Sequence, residues 1–366
     1  MKKVIMYVYG DISTDARVQR AGNALASNYD VTVISNQHNK ILPETKFKNV
    51  LVGRDGYDMK GFFRTIWEAR KIVLEEKPDV LYGHDYYSAL LLRLFLRHKH
   101  IRKIIYDAHE LYIPEKGKHF SFRSRVFYWI EKSIIKRVDC VICASEERSL
   151  LMQQHYGLKE LPTTIRNVSQ LQVIPKSIPA TILDQLDSFF QKPGITVVYA
   201  GVVVKSRKLD ELVNAVSQLA PKYKLLIIGN GSSFEDLKYL AESNTNLISL
   251  FTGALPYAAL GSILSRCDVG FIYYPTDTLN NINCASNKLF EYASVSLPVL
   301  ANDNPTIKKE LEKWRIGVAS NDFAKGLETL LPILDTCRAN CEEFNNKNRW
   351  AEEEKKLMDV VNSITG

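Results

Sequence analysis

What this chain of 366 residues lacks narrows it first. It has no apolar run long enough to cross a bilayer, and its Met1-Lys-Lys opening carries no secretory signal, so a soluble, cytoplasmic protein is expected. Cysteine is sparse, at six residues, which fits a reducing compartment. Cys140 and Cys143 stand in the strand-like run Val138-Asp-Cys-Val-Ile-Cys-Ala144. Three apart on a strand, they point to opposite faces, which argues against a zinc site. No compact group of carboxylates or histidines appears along the sequence, so neither a metal nor another cofactor is expected. Sharp internal repeats and low-complexity segments are missing too. The net charge of +7 is modest for the length and matters only where it is concentrated.

What is present is length enough for two domains, with 46% hydrophobic residues, and a regular alternation of short apolar runs with amphipathic helical patterns. In the first half, Lys3–Tyr9, Val31–Ser35, Asp79–Tyr82, Lys103–Asp107 and Val138–Ala144 read as strands. The rhythm weakens over Ser169–Pro193, where prolines stand at 175, 179 and 193. It resumes with Ile195–Ala200, Lys224–Ile228, Leu247–Phe251, Val269–Tyr273 and Pro298–Ala301. This alternation predicts parallel βαβ units, hence an α/β protein of two doubly wound, Rossmann-like domains, over 1–168 and from 169 onward, joined by a linker. Ligands of such sheets bind at the carboxyl ends of the strands, so the active site is expected in the cleft where two such domains face each other.

The run Ser286-Asn-Lys-Leu-Phe-Glu-Tyr-Ala-Ser-Val-Ser-Leu-Pro-Val-Leu300 carries the most chemistry. Polar and basic residues open a short helix, whose free N–H groups and positive end suit a phosphate, with Lys288 adding charge. Glu291, one turn in, is placed to hold a ribose diol. Read alone, the pattern describes an ordinary surface helix feeding a parallel strand before it describes a phosphate site. His109, at the end of a strand pattern, reads on spacing alone as a structural histidine bonded to Asp107 or Glu110. Gly10 and Gly229-Asn-Gly231 follow strands, where glycine either admits a ligand phosphate or merely reverses the chain.

Taken in order, the motifs are more specific than any one of them. Ile12-Ser-Thr-Asp-Ala-Arg-Val-Gln-Arg-Ala-Gly-Asn-Ala-Leu25, Tyr106-Asp-Ala-His-Glu110, Tyr199-Ala-Gly201 through Arg207-Lys-Leu-Asp-Glu-Leu212, Ile228-Gly-Asn-Gly231, Phe251-Thr-Gly253, the Ser286–Leu300 run and Arg349-Trp-Ala-Glu-Glu353 follow one another nearly end to end. The set resembles the retaining glycosyltransferases of GT-B fold, family 4 (group 1). The resemblance implies that a helix over about 343–366 returns to complete the first domain, which binds the acceptor, and that 169–342 bind the nucleotide-sugar donor. It makes His109 the catalytic histidine, lets Glu291 hold the donor ribose, and sets Arg207 against the pyrophosphate. Gly10, Gly201, Lys205, Gly229, Asn283, Asn287, Lys288 and Leu289 would complete the donor contacts. His84, Asp85 and Glu110, with Glu115, would line the acceptor side.

Three positions depart from the family pattern. Asn283 stands where a first glutamate would contact the donor sugar, Val202 replaces a companion arginine for which Lys205 or Lys288 would compensate, and Ser296 replaces a glycine, its hydroxymethyl narrowing the approach to the ligand. The implied chemistry is departure of a nucleoside diphosphate, UDP or GDP, from an anomeric carbon. Arg207, Lys288 and the helix start before Leu289 would stabilise the leaving group without a metal.

The implied function is metal-independent, retaining transfer of a sugar to a glycan or lipid-linked saccharide at the cytosolic membrane face, in cell-surface polysaccharide synthesis. Its rivals are a nucleotide-sugar epimerase of similar fold and a non-catalytic subunit of a polysaccharide-assembly complex. The excess charge concentrates in Arg93–Lys103 and in Phe120–Arg137. On a helix, Arg125, Trp129, Lys132 and Lys136 share one side, which suits an anionic membrane surface and equally a solvated face. Nucleic acid is not an expected partner, because no recognition motif accompanies the charge.

Overall fold

The apolar runs form two all-parallel sheets, each in its own unit. A computed structural model describes residues 1–13, 15–36, 45–53, 59–174 and 178–366; Thr14 of the first loop motif and Pro175 of the expected linker fall outside them. The first unit, Met1–Asn167 with Ala351–Gly366, holds β1 (Lys3–Val8), β2 (Asp30–Ser35), β3 (Lys48–Leu51), β4 (Val80–His84), β5 (Lys103–Ala108), β6 (Cys140–Cys143) and β7 (Thr163–Thr164). Their order across the sheet is β3-β2-β1-β4-β5-β6-β7. Helices α1 (Ala16–Leu25), α2 (Met59–Glu76), α3 (Asp85–Phe95), α4 (Phe122–Ile134) and α5 (Glu146–Tyr156) make the crossovers. Every residue of β4 is buried, as expected of an interior strand covered on both faces. The strand order reverses between β1 and β4, which makes their carboxyl ends the natural place for a ligand.

The second unit, Val168–Trp350, holds β8 (Ile195–Ala200), β9 (Tyr223–Ile228), β10 (Ser249–Phe251), β11 (Val269–Ile272), β12 (Val299–Ala301) and β13 (Gly317–Ala319), in the order β10-β9-β8-β11-β12-β13. Its helices run from α6 (Ala180–Gln191) to α14 (Leu334–Lys347), among them α9 (Tyr257–Leu264), α10 (Leu279–Ile282), α11 (Asn287–Ser294) and α12 (Pro305–Trp314). Alternate residues of β8 feed two cores: Val198 and Ala200 join Tyr292 and Ile263, while Val197 and Tyr199 join Phe271 and Leu327. That is the two-residue period of a strand covered on both sides.

Three expectations need correction. The weak stretch Ser169–Pro193 is no mere linker: it belongs to the second unit and contains α6, which buries Ile182, Leu186 and Phe189. Pro179 ended the visible pattern because it sits at the helix start, where a missing N–H costs nothing. The charged tail is two helices, α14 and α15 (Trp350–Thr365), and only from Ala351 does the chain belong to the first unit, later than the expected 343. The edge strands β3, β7 and β13 were not foreseen, because they are short and half-buried and leave no apolar run.

Helix α15 is tied to the first unit by polar contacts. Glu353, wholly enclosed, accepts from the backbone N–H of Arg166 at 2.9 Å and from its Nε at 2.9 Å. Tyr29 Oη donates to Asn362 at 2.6 Å, and Lys2 Nζ donates to the carbonyl of Thr365 at 2.8 Å.

Candidate functional site

In the first unit the carboxyl ends of β4 and β5 carry a buried polar network. Parallel register sets His84 opposite Asp107. Arg17 reaches in from α1 and donates to both Asp107 oxygens, through Nη2 at 2.7 Å and Nε at 3.1 and 3.2 Å. Its Nη1 donates to the carbonyl of Ile165 and to Asn167, each at 2.7 Å. Tyr82 Oη donates to Asp107 at 3.0 Å. Burial alone would raise the Asp107 carboxyl, but the Arg17 guanidinium together with His84 and His109 outweighs it and holds the group well below the usual carboxylate range.

His109 lies just beyond β5, mostly enclosed, with Nε2 3.1 Å from His84 Nδ1 and 3.9 Å from Asp107 Oδ2. Its carbonyl accepts from Arg148 of α5. Burial pulls its pKa down to about 4, against the opposing pull of Asp107 and Asp15. The expected bond to Asp107 or Glu110 is therefore replaced by one to His84. Although the sequence shows no compact histidine–carboxylate group, the fold makes one: His84, Asp107 and His109 each offer an atom, all within 4.8 Å of one another. That is the spacing of a ligand set, but Asp107 is already neutralised by Arg17 and bonded by Tyr82, and a cation would have to displace that pairing.

Around this network, Asp85 begins α3 in the left-handed region (φ 60°), where a side chain other than glycine is strained. Burial, then the Glu110 charge, pushes its carboxyl well above the usual range. Glu110 is exposed and Glu115 half-buried, while nothing would crowd a side chain at Gly10, so the turn after β1 is open. Arg125, Trp129 and Lys132 lie on the exposed side of α4, with Phe122 82% and Trp129 63% accessible, whereas Lys136, expected on the same helix face, is exposed in the turn beyond the helix end. The same helix turns Glu131 inward, where Tyr106 Oη donates to it at 2.5 Å and Tyr156 Oη also donates. Burial raises the Glu131 carboxyl to about 7.

In the second unit the start of α11, like those of α6, α9 and α14, has no side-chain cap, and it stands out because two polar atoms are buried there without partners. Ser286, 5% exposed, keeps its hydroxyl without a partner, and so does the Asn287 Oδ1 atom. Leu289 packs its side chain into the core, leaving only its backbone N–H at the helix start. Lys288 is held against the loop after β8: a Cβ on Gly201 would lie 2.6 Å from its Nζ, and the Tyr199 ring is 5.5 Å away. Burial, despite the attraction of Glu291, lowers the Lys288 pKa. Val202 is 60% exposed and Lys205 is exposed, so of the two lysines Lys288 is the one built into the loop that lacks an arginine.

Arg207, half-buried, donates through Nη1 to the Tyr273 carbonyl at 2.8 Å and lies over the Tyr274 ring at 4.6 Å. Tyr257 of α9 donates to Glu291 Oε1 at 3.1 Å and also bonds Ser169. Asn283 ends α10, its amide donating to the Leu279 carbonyl at 2.8 Å.

Gly201 and Gly229 have a packing reason of their own, since a Cβ on Gly229 would fall 1.8 Å from the Gly201 carbonyl oxygen. Ser296 corrects an expectation. It lies beyond the far end of α11, so its hydroxymethyl is remote from the helix start. Its φ of 55° is what favours glycine there, as the residue after a helix end. Sequence reasoning also missed Arg17, Tyr82, Glu131 and Tyr257. Only Arg17 left a trace, falling four residues before Ala21 and eight before Leu25 on the buried stripe of α1.

The family described as Glycosyltransferase Family 4 matches residues 16–168, and the family described as Glycosyl transferases group 1 matches residues 186–333. No curated protein matches the chain in sequence. Among solved structures, it is similar to sucrose-phosphate synthase from Thermosynechococcus elongatus, with 16% identity, TM-score 0.76, and 100% of this chain and 99% of that one covered. Anabaena HepE in complex with UDP-glucose has 13% identity and TM-score 0.76, with 99% and 100% covered. WaaG, described as a glycosyltransferase involved in lipopolysaccharide biosynthesis, has 14% identity and TM-score 0.73, with 98% and 99% covered. The shared architecture is the two-domain, Rossmann-like GT-B fold.

Proposed function

The chain belongs to the glycosyltransferases of family 4 and group 1, nucleotide-sugar-dependent enzymes, and from that premise we propose that it transfers a sugar with retention, from a UDP- or GDP-linked donor to a glycan or lipid-linked saccharide in cell-surface polysaccharide assembly. One observation carries the donor reading: the uncapped start of α11, where the buried Ser286 hydroxyl and Asn287 Oδ1 have no partner beside Lys288. Free N–H groups, a hydroxyl and an ammonium are what a diphosphate needs. Lys288 and Arg207 meet the negative charge that grows on the leaving diphosphate, and stabilisation of that charge lowers the barrier to its departure. The charge is met by protein groups, and no metal or other cofactor is assigned to the reaction. Glu291, oriented by Tyr257, binds the ribose diol. His109 acts on the reacting groups from the acceptor-binding unit, with His84, Asp85 and Glu110 around it.

No helix among the described residues is long and apolar enough to cross a membrane. The outer face of α4 and the turn after it, where Phe122, Val126 and Trp129 are exposed among Arg125, Lys132 and, in the turn, Lys136, support peripheral docking on the cytosolic face of an anionic membrane. Asn283, in place of the usual glutamate, supports a second reading: a subunit that holds nucleotide without turning it over. Slow release of nucleoside diphosphate from any donor would exclude that.

Thermal shift with UDP and with GDP tests the donor reading, since a ligand of the folded state raises its melting temperature. Glu291→Ala should weaken binding of the preferred nucleotide by about 2–4 kcal/mol, the worth of hydrogen bonds to a charged group. No shift with either nucleotide, or one unchanged in the variant, would overturn the assignment.

A further inference from the structure

His84 has no chemical task in the roles derived so far, yet it touches the residue proposed to act. Its ring is fully buried and stacks on Tyr82, with centroids 4.4 Å apart. Its Nδ1 lies 3.1 Å from His109 Nε2 and 3.6 Å from Asp107 Oδ2, while its Nε2 is buried with no partner.

The bond between the two rings admits two arrangements. If His109 donated, His84 would carry its own proton on Nε2, leaving a buried N–H with no acceptor, and would turn a lone pair toward the Asp107 carboxylate. If His84 donates, its N–H faces both the Asp107 oxygen and the His109 lone pair, and only a lone pair is left unpartnered at Nε2. Each arrangement leaves one group at Nε2 buried without a partner, but only the first also turns a lone pair toward the Asp107 carboxylate 3.6 Å away, so the second arrangement prevails.

We propose that His84 is a positioning residue that fixes the tautomer of His109: it holds the Nε2 lone pair, so that His109 keeps its proton on Nδ1 and meets its ligand as a hydrogen-bond donor, not as a base. This rests on the reading of His109 as the acting residue. Two further observations agree with it. Asp15 Oδ1 is taken up capping α1, while its Oδ2 lies 4.0 Å from His109 Nδ1, on the side where the N–H is required. Burial keeps the His109 ring neutral at pH 7, so it has a single N–H to place. A neutral N–H suits a sugar or phosphate oxygen, which gains charge as the donor bond breaks.

The test is two-bond proton–nitrogen NMR of the histidine rings in the full chain at pH 7, with His109 assigned by its loss in His109→Ala. The expected pattern has His109 protonated on Nδ1. In His84→Leu it should drift toward the Nε2 form, and in His84→Asn, whose amide N–H can replace Nδ1–H, it should persist. Release of UDP from UDP-glucose gives a second readout: kcat should fall about tenfold or more in His84→Leu with KM unchanged, and recover in His84→Asn. A parent protein protonated on His109 Nε2 overturns the proposal without any variant. So does a pattern, or a kcat, that is the same in the leucine and asparagine variants. Full UDP release by His109→Ala would instead remove His109 from the reaction, and the measured tautomer would stand apart from that result.

Discussion

Polar side chains gather at the carboxyl edge of both sheets, but they are handled in opposite ways. In the first unit Arg17, Asp107, Tyr82, His84 and His109 bond one another, with the His84 Nε2 atom left over: a buried carboxylate has a guanidinium on both oxygens and a tyrosine on one. In the second unit the Ser286 hydroxyl and Asn287 Oδ1 are buried at a helix start without partners. The neighbouring α12, which begins at the same edge, is capped in the ordinary way, with Asn304 Oδ1 accepting from the N–H groups of Thr306 and Ile307. A network that closes on itself rigidifies the free protein and presets a side chain. Polar atoms buried without partners cost the free protein stability and persist where something else completes them. The first arrangement is therefore read as positioning and the second as a binding site.

The largest expected effect breaks the first side of that comparison. Arg17→Ala leaves the Asp107 carboxylate buried and unpaired, and should destabilise the full chain by about 3–5 kcal/mol in urea unfolding, whereas Lys288→Ala, which removes a half-buried ammonium whose charge burial disfavours, should change stability little. Equal losses would erase the distinction. Acid sharpens it. The folded Asp107 carboxyl lies below its unfolded value of about 3.9, so its pairing stabilises the fold above that pH and is lost as the pH falls toward the folded value. The gap between parent and Arg17→Ala should narrow below about pH 4.

A smaller effect tests the two helix starts against each other. Asn304→Ala should cost about 1 kcal/mol of stability, as a lost cap does, and leave UDP affinity alone. Ser286→Ala should cost no stability, yet weaken UDP binding by about 1.5–3 kcal/mol if a phosphate oxygen takes the hydroxyl. Calorimetry with UDP and thermal melts of both variants give the answer; a destabilised Ser286→Ala with unchanged affinity would make that hydroxyl structural. The smallest effect on the fold is expected from neutralising Arg125, Lys132 and Lys136 together. Melting should not move, while co-sedimentation with anionic vesicles at low salt should be lost. Binding that ignores both salt and the triple substitution would leave α4 a solvated face.

How far all this could be read from the residues depends on where the contacts lie. Interior strands are legible because both faces are covered: β8 falls on Ile195–Ala200 as read, and β5 differs from its apolar run by one residue. The edge strands β3, β7 and β13 have no such run, although the edge strand β10 lies within the Leu247–Phe251 run. His109 and Glu291 stand out within linear motifs. The Asp107 network does not, because Arg17, Tyr82, His84 and Asp107 come from α1, β4 and β5 and meet only through tertiary packing and strand register. Tyr257 is hidden for the same reason, being 34 residues from the carboxylate it touches.

Helix α15 belongs to the first unit but follows the whole of the second in the chain. Topologically the second unit is a guest spliced into a host, and synthesis must respect that order. Strands β1 to β7 are made first, yet Leu357, Val361 and the enclosed Glu353, which help to complete their unit, are made only after Trp350. The guest is contiguous and has all its parts together once it has been made. The host keeps an apolar seam open for the whole of that interval, with the Arg166 N–H waiting for its carboxylate. Since domains fold as units during synthesis, the half that is begun first is the half that finishes last.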